Sequence, residues 1–207
     1  MDTSALTAQE ATSILAYHVY DKELRSDEIQ DGFIIALNGD GVYLDSTNGG
    51  VTLNGDVNVI QADILGSNGV IHVIDQVLIP PQHDVTVVAA DNGLEQFLRA
   101  LEVTDLSLVL QEDGPFTVFA PTDAAFAKLG QNTVDALFND VSTLTNLVLY
   151  HVTSGYVGSG DLARMDAIET QAEGGQKITV KNSDGVVLNG NTKLTVANLV
   201  ATNGVVH

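Results

Sequence analysis

The chain repeats itself out of phase. Tyr17-His18-Val19 returns as Tyr150-His151-Val152, 133 residues later. Leu53-Asn54-Gly55 returns as Leu188-Asn189-Gly190, and Asn68-Gly69-Val70-Ile71-His72 as Asn203-Gly204-Val205-Val206-His207, both 135 residues on. A repeat of that length is one small domain. The first copy runs on into Val73-Ile74-Asp75-Gln76-Val77-Leu78-Ile79-Pro80, whereas the second copy stops at His207. The chain therefore reads as about one and a half units, divided at residues 1–81 and 82–207. An incomplete sheet leaves unpaired backbone groups, and such an edge is a binding surface.

Charge narrows the partners. The 207 residues carry 27 acidic and 8 basic side chains, a formal charge of −19, spread over both units. Phosphate backbones and anionic membrane surfaces need Lys and Arg, so neither is expected as a partner. An acidic surface suits salty media or divalent cations, and solubility alone explains it equally well. A 44% hydrophobic content argues for a packed core rather than disorder. With no cysteine, disulfides and thiolate metal sites are excluded. No apolar run reaches the length of a membrane span. Met1 to Gln9 has neither a basic nor an apolar leader region, so no export signal is expected in this sequence.

Along the chain, helical and strand signals separate. Thr7 with Glu10 makes a capping box for a helix over 7–18. From about residue 30 to 79, short apolar stretches alternate with Asn-Gly and Gly-Asp turns, a hairpin pattern. Val57–Leu65 and Val70–Ile79 read as the longest strands, and Pro80-Pro81 ends the unit. The second unit opens at Asp84. Helical faces follow at Leu94/Phe97/Leu98/Leu101, at Leu106–Leu110, and at Val134/Leu137/Phe138 and Leu144/Leu147/Val148. Phe116–Ala120 reads as a buried strand, and Thr122 as the cap of a helix over 124–129. Strands then recur at Ile178–Val180 and Val186–Leu188. Helices first and hairpins second predict an α+β domain with a mostly antiparallel sheet.

Gly114-Pro115-Phe116-Thr117-Val118-Phe119-Ala120-Pro121-Thr122-Asp123-Ala124-Ala125-Phe126 resembles the first hallmark motif of the fasciclin (FAS1) domain. Leu149-Tyr150-His151-Val152 and Ala16-Tyr17-His18-Val19 resemble its Tyr-His motif, and Asn68–Asp75 its second hallmark motif. The resemblance implies a wedge-shaped β-sandwich flanked by helices, here in one and a half tandem copies. It also implies secreted or cell-surface proteins that mediate adhesion or matrix association. Residues 1–80 lack the first motif, and the second unit's last motif stops at His207.

Candidate site residues follow from these motifs. Tyr17, His18, Tyr150, His151, His72 and His207 could suggest catalysis or metal binding. A lone histidine beside an aromatic reads more simply as a core residue with a satisfied hydrogen bond, and the resemblance also implies a structural role. No second His or Glu stands at metal-ligand spacing. Thr122 and Asp123 belong to the first motif. Asn38, Asp40, Asp45, Asn54 and Asp56 could offer oxygens to Ca²⁺, but they lack the calcium-loop spacing and suit tight turns. Asp63-Ile64 matches Asn198-Leu199; in animal members an Asp-Ile near this place is linked to integrin recognition. Its plain reading is a strand-end polar residue beside a buried aliphatic. Gly158-Ser159-Gly160 reads as a helix start before Asp161. No catalytic signature is present, so no enzyme and no cofactor or metal are expected.

The expected function is an extracellular adhesion or matrix module that works through protein–protein contacts. Its partners would be other fasciclin-like domains, itself, or matrix components. Val73, Ile74, Val77 and Leu78 form a strand that one copy could donate to another, giving filaments. The alternative is a soluble secreted binding module for a small ligand or surface glycan.

Overall fold

The capping box forms as the spacing demands. In the computed structural model the Thr7 amide donates to Glu10 Oε2 at 2.8 Å and the Glu10 amide donates to Thr7 Oγ1 at 3.2 Å, which starts helix α1 (Ala8–Tyr17). The structure describes residues 6–46, 49–182 and 185–207, so Met1–Ala5, part of the stretch where no leader region is expected, lie outside the described residues. The chain divides into two compact units, Met1–Gln82 and His83–His207.

In the first unit α1 is followed by β1 (Gly32–Ile35), β2 (Gly41–Asp45), β3 (Thr52–Leu53), β4 (Val57–Gly66) and β5 (Gly69–Ile74). They form one sheet in sequence order, antiparallel throughout. The Asn54-Gly55 turn joining β3 to β4 has φ of 52° and 87°, the positive values that make Asn-Gly a hairpin signal. Tyr17, Ala36, Val42, Leu44, Val57 and Leu78 make the core.

One strand is shorter than its apolar run suggests. β5 stops at Ile74 rather than Ile79. Asp75 is the cause: its carboxylate accepts from the Asn58 amide at 2.8 Å and from Asn58 Nδ2 at 2.7 Å, and the chain leaves the sheet there. Leu78 turns back into the unit's own core. The segment read as a donor strand is therefore already in use, with Val73 and Ile74 paired to β4 and Leu78 buried, while Val77 and Ile79 are exposed.

The second unit begins with helices α2 (Val85–Asp91), α3 (Glu95–Val103) and the single turn α4 (Leu106–Val109). Asp84 caps α2, accepting from the Thr86 amide at 2.8 Å and the Val87 amide at 3.1 Å. Next come β6 (Phe116–Val118), α5 (Asp123–Ala127), α6 (Gln131–Asn139), α7 (Val141–Tyr150), β7 (Val152–Ser154) and α8 (Ser159–Leu162). The remaining elements are strands: β8 (Ala167–Glu169), β9 (Lys177–Asn182), β10 (Val186–Leu188), β11 (Thr192–Lys193), β12 (Leu199–Ala201) and β13 (Gly204–Val206). They form two four-stranded sheets, β11-β10-β9-β8 and β12-β13-β6-β7. Every pairing is antiparallel except β6 with β13. Parallel pairing places Phe116–Val118, far away in sequence, in the middle of the second sheet.

Two cores result. Phe97, Leu101, Phe126, Leu144 and Val148 of the helices close over the face of Val118, Ala201 and Val206. Phe119, just beyond β6, enters the other core among Leu162, Ile168, Ile178, Val180 and Leu188. Burying such a ring contributes roughly 1.5–3 kcal/mol. Among the described residues no helix is long and apolar enough to cross a membrane.

Candidate functional site

The repeated motifs build the same hydrogen-bond network twice. Tyr17, the last residue of α1, donates its hydroxyl to the Gly41 carbonyl at 2.9 Å and accepts from Asn54 Nδ2 at 2.9 Å. Asn54 Oδ1 in turn accepts from the Tyr43 amide at 2.9 Å. In the second unit Tyr150 donates to the Lys177 carbonyl at 3.1 Å and accepts from Asn189 Nδ2 at 2.9 Å, while Asn189 Oδ1 accepts from the Thr179 amide at 3.0 Å. Each tyrosine thus pins the end of a helix to a hairpin turn.

The histidines are spent on backbone. His18 donates from Nδ1 to the Ile14 carbonyl at 2.7 Å, and its Nε2 accepts from the Leu78 amide at 3.0 Å. It is exposed rather than a core residue, because it clasps the returning chain from outside. His151 makes the matching Nδ1 bond to the Leu147 carbonyl at 2.8 Å, and burial holds its pKa below the ordinary histidine value. His72 Nε2 reaches the Leu24 carbonyl at 2.8 Å, and His207 Nε2 the Val157 carbonyl at 2.8 Å. His207 Nδ1 also accepts from the Asn198 amide at 3.2 Å, whereas His72 Nδ1 is buried without a partner. Burial pushes the His207 pKa down to about 4, and its ring stacks on Phe119 with centroids 5.4 Å apart. Among the described residues no group of three His, Asp or Glu side chains could hold a metal ion. Asn38 Nδ2 donates to Asp40 Oδ2 at 2.5 Å, and Asn54 sits in its turn.

Asp63 and Asn198 are matched in conformation as well as position. Both have positive φ, 59° and 61°. Asp63 accepts from the Ser26 amide at 2.9 Å and from the Ser26 hydroxyl, bonds that hold its carboxyl below the usual carboxylate range. Asn198 accepts from the Ser159 amide at 2.9 Å and donates to Ser159 Oγ at 2.8 Å. Asp63 is therefore a kink inside β4 rather than a strand end, and Ile64 beside it is exposed rather than buried. In the first motif, Thr122 caps α5 by accepting from the Ala125 amide at 3.2 Å. Asp123 Oδ1 accepts from the Gln96 amide at 2.9 Å and so serves the start of α3.

Among the elements the two units share, the β-hairpin after this kink differs in its surroundings. In both, the register is the same: Leu65 faces Val70 and Ile64 faces Ile71, as Val200 faces Val205 and Leu199 faces Val206. In the second unit β13 lies between β12 and β6, and Val206 is 1% exposed. In the first unit β5 is the sheet's edge, and Ile71 is 59% exposed. Beside this edge opens an apolar cleft of about 420 Å³, bounded by Val70, Ile71 and His72 on one side and by His18 and Val19 on the other. That volume lies in the range of small-ligand sites. The incomplete sheet expected from the repeat has its open edge at β5 of the first unit, and the cleft beside it arises from long-range packing that the residue pattern does not carry.

The profile of the Fasciclin domain family matches residues 2–80 and 92–207. The chain belongs to the fasciclin domain family. It is similar to human periostin, 28% identical over 201 residues that cover 96% of this chain and 24% of that protein. It is also similar to pig transforming growth factor-beta-induced protein ig-h3, 26% identical over 206 residues, covering 96% of this chain and 29% of that protein. The chain thus spans about a quarter of the length of these fasciclin relatives. The FAS1 domain pair of the insect cell adhesion molecule Fasciclin I superposes with a TM-score of 0.54 at 19% identity, covering 96% of this chain and 78% of that one. This likeness extends the family assignment to the fold.

Proposed function

We propose that this chain is an extracellular adhesion or matrix module that acts through protein–protein contacts, with Met1–Gln82 the sheet half of a fasciclin domain and His83–His207 a nearly whole one. The observation that carries the reading is the fasciclin motif set built twice, Tyr17 tied to Asn54 and Tyr150 tied to Asn189, on the fold of a FAS1 domain pair. The superposition on a protein described as a cell adhesion molecule supports the same class. Its partners are other fasciclin-type domains, a second copy, or matrix and cell-surface components. The histidines and tyrosines support the site by holding the sheet, not by chemistry on a substrate.

In its finer form the module self-assembles into filaments. Because Leu78 and Ile74 are packed at home, residues 73–78 are not free to act as the donor, and the contact would lie elsewhere on the surface. Light scattering over a dilution series tests this form: mass should grow with concentration. A constant monomer mass removes the filaments. Binding of immobilised matrix proteins and cells tests the adhesion reading itself. No binding to any such surface would sink it.

The cleft favours a second reading, a secreted carrier of a small apolar ligand or glycan. It predicts a monomer whose melting temperature rises with ligand.

A further inference from the structure

We infer that copies of this chain join head to tail, the lysine-bearing outer face of the second unit's β8–β11 sheet docking on the carboxylate-bearing outer face of the first unit's sheet in the next copy. This deepens the self-assembly form of the proposed function, on which it rests, by naming the two surfaces and their chemistry.

The Tyr–Asn ties align the two sheets residue by residue. Tyr17 bonds the Gly41 carbonyl where Tyr150 bonds that of Lys177, and Asn54 takes the Tyr43 amide where Asn189 takes that of Thr179. Asp45 and Lys181 are therefore matched positions. From each, the same row crosses two further strands. Asp45 faces Thr52, which is also opposite Asn58; Lys181 faces Val187, which is also opposite Lys193. The charge of the row has reversed between the copies.

In the second unit the row is basic. β9 buries Ile178 and Val180 and turns Lys177, Thr179 and Lys181 outward. Lys193 is exposed on the same face. These three lysines are half of the six basic side chains in residues 83–207, so half of that unit's positive charge sits on one sheet face. Glu169 neutralises Lys177 at 2.8 Å, whereas Lys181 and Lys193 make no ion pair among the described residues. The three stand exposed with helices α2–α7 in place.

In the first unit the row is acidic. Val42 and Leu44 enter the core, which puts Asp45 on the other face of β2. Asp31, just before β1, accepts from the Ser46 amide and hydroxyl, both at 2.6 Å, beside Asp45. Asp75 closes the far end of the row on Asn58, whose bonds hold its carboxyl below the usual carboxylate range and so charged. The unit's two basic side chains are engaged elsewhere, Arg25 with Glu23 and Lys22 over the Tyr20 ring.

Two unlike faces of opposite charge on one chain make a heterologous contact, which repeats without closing on itself. A second copy is the partner that brings the acidic row in the same sheet geometry as the basic one.

The test follows mass by light scattering as NaCl is varied. At about 0.01 M the screening length of about 30 Å lets the overall negative charge keep copies apart, and at about 1 M the facing charges are themselves screened. Mass should therefore peak between, near 0.15 M. Lys181→Glu with Lys193→Glu should weaken association about tenfold or more without lowering the melting temperature, and Asp45→Lys, which places the second unit's own residue type at the matched position, should do the same. Mixing the two variants should restore one contact, between the intact acidic face of one and the intact basic face of the other, and so yield pairs. A constant monomer mass overturns the inference, as does mass that rises steadily with salt. Variants that assemble like the parent, or fail to pair when mixed, overturn it and leave another self-contact standing. Heparin is the control probe: a monomer that binds it through Lys181 and Lys193 would assign the basic face to a polyanion and overturn the inference as well. The surface-binding assay is independent of all these results, so the contact and the adhesion reading can fail separately.

Discussion

The tyrosine hydroxyls carry more of the fold than their number suggests, since each satisfies a carbonyl and an amide at once. Tyr17→Phe leaves the Gly41 carbonyl and Asn54 Nδ2 unpaired in a buried setting and should cost about 1–2 kcal/mol. Tyr150, less buried, should cost less on the same change; urea unfolding of each variant measures the difference. His207 gives a pH dependence. Its folded pKa of about 4 lies below the ordinary value near 6.5, so the unfolded chain takes up the proton first. Its contribution is complete above pH 6.5 and is lost as pH falls toward 4. Over that window the second unit should lose about 3 kcal/mol. His151 adds in the same direction. Urea midpoints from pH 7 to 4 test this, and His207→Gln should flatten the slope.

Helix caps and strand contacts set the elements. Thr122→Ala removes the cap of α5 and should cost about 1 kcal/mol by thermal unfolding. Gly204→Ala forces β13 away from Phe116 and should destabilise the second unit by about 2 kcal/mol or more, read as a lower melting temperature. Local chemistry was well legible at this scale. Asn54-Gly55 and Asn189-Gly190 turn where their types require, and Thr7 with Glu10 starts α1. Long-range pairing was not. Nothing in Phe116–Val118 announces a parallel partner in Gly204–Val206, and nothing in Val77-Leu78 distinguishes a strand from a return to the core. His18 looked like its buried relatives because a Tyr-His pair carries no sign of which side of the chain it faces. Asp123 read as part of a motif, but that it serves the Gln96 amide was fixed only by the packing of α5 on α3.

For the whole molecule, a charge of −19 means that like charges repel across the surface of the folded state. Raising NaCl from low concentration to about 0.5 M shortens the screening length to a few ångströms and should raise the melting temperature. The repeat has a less obvious consequence. Both copies hold their hairpins in one register, with the same kink and the same Tyr–Asn tie, yet one hairpin is an edge and the other is interior. Amide exchange should therefore be faster along β5 than along β13, measured in a single tube at one pH and temperature. The chain carries its own reference state: the gap between two sister strands reports what closing a sheet is worth, without a mutation being made.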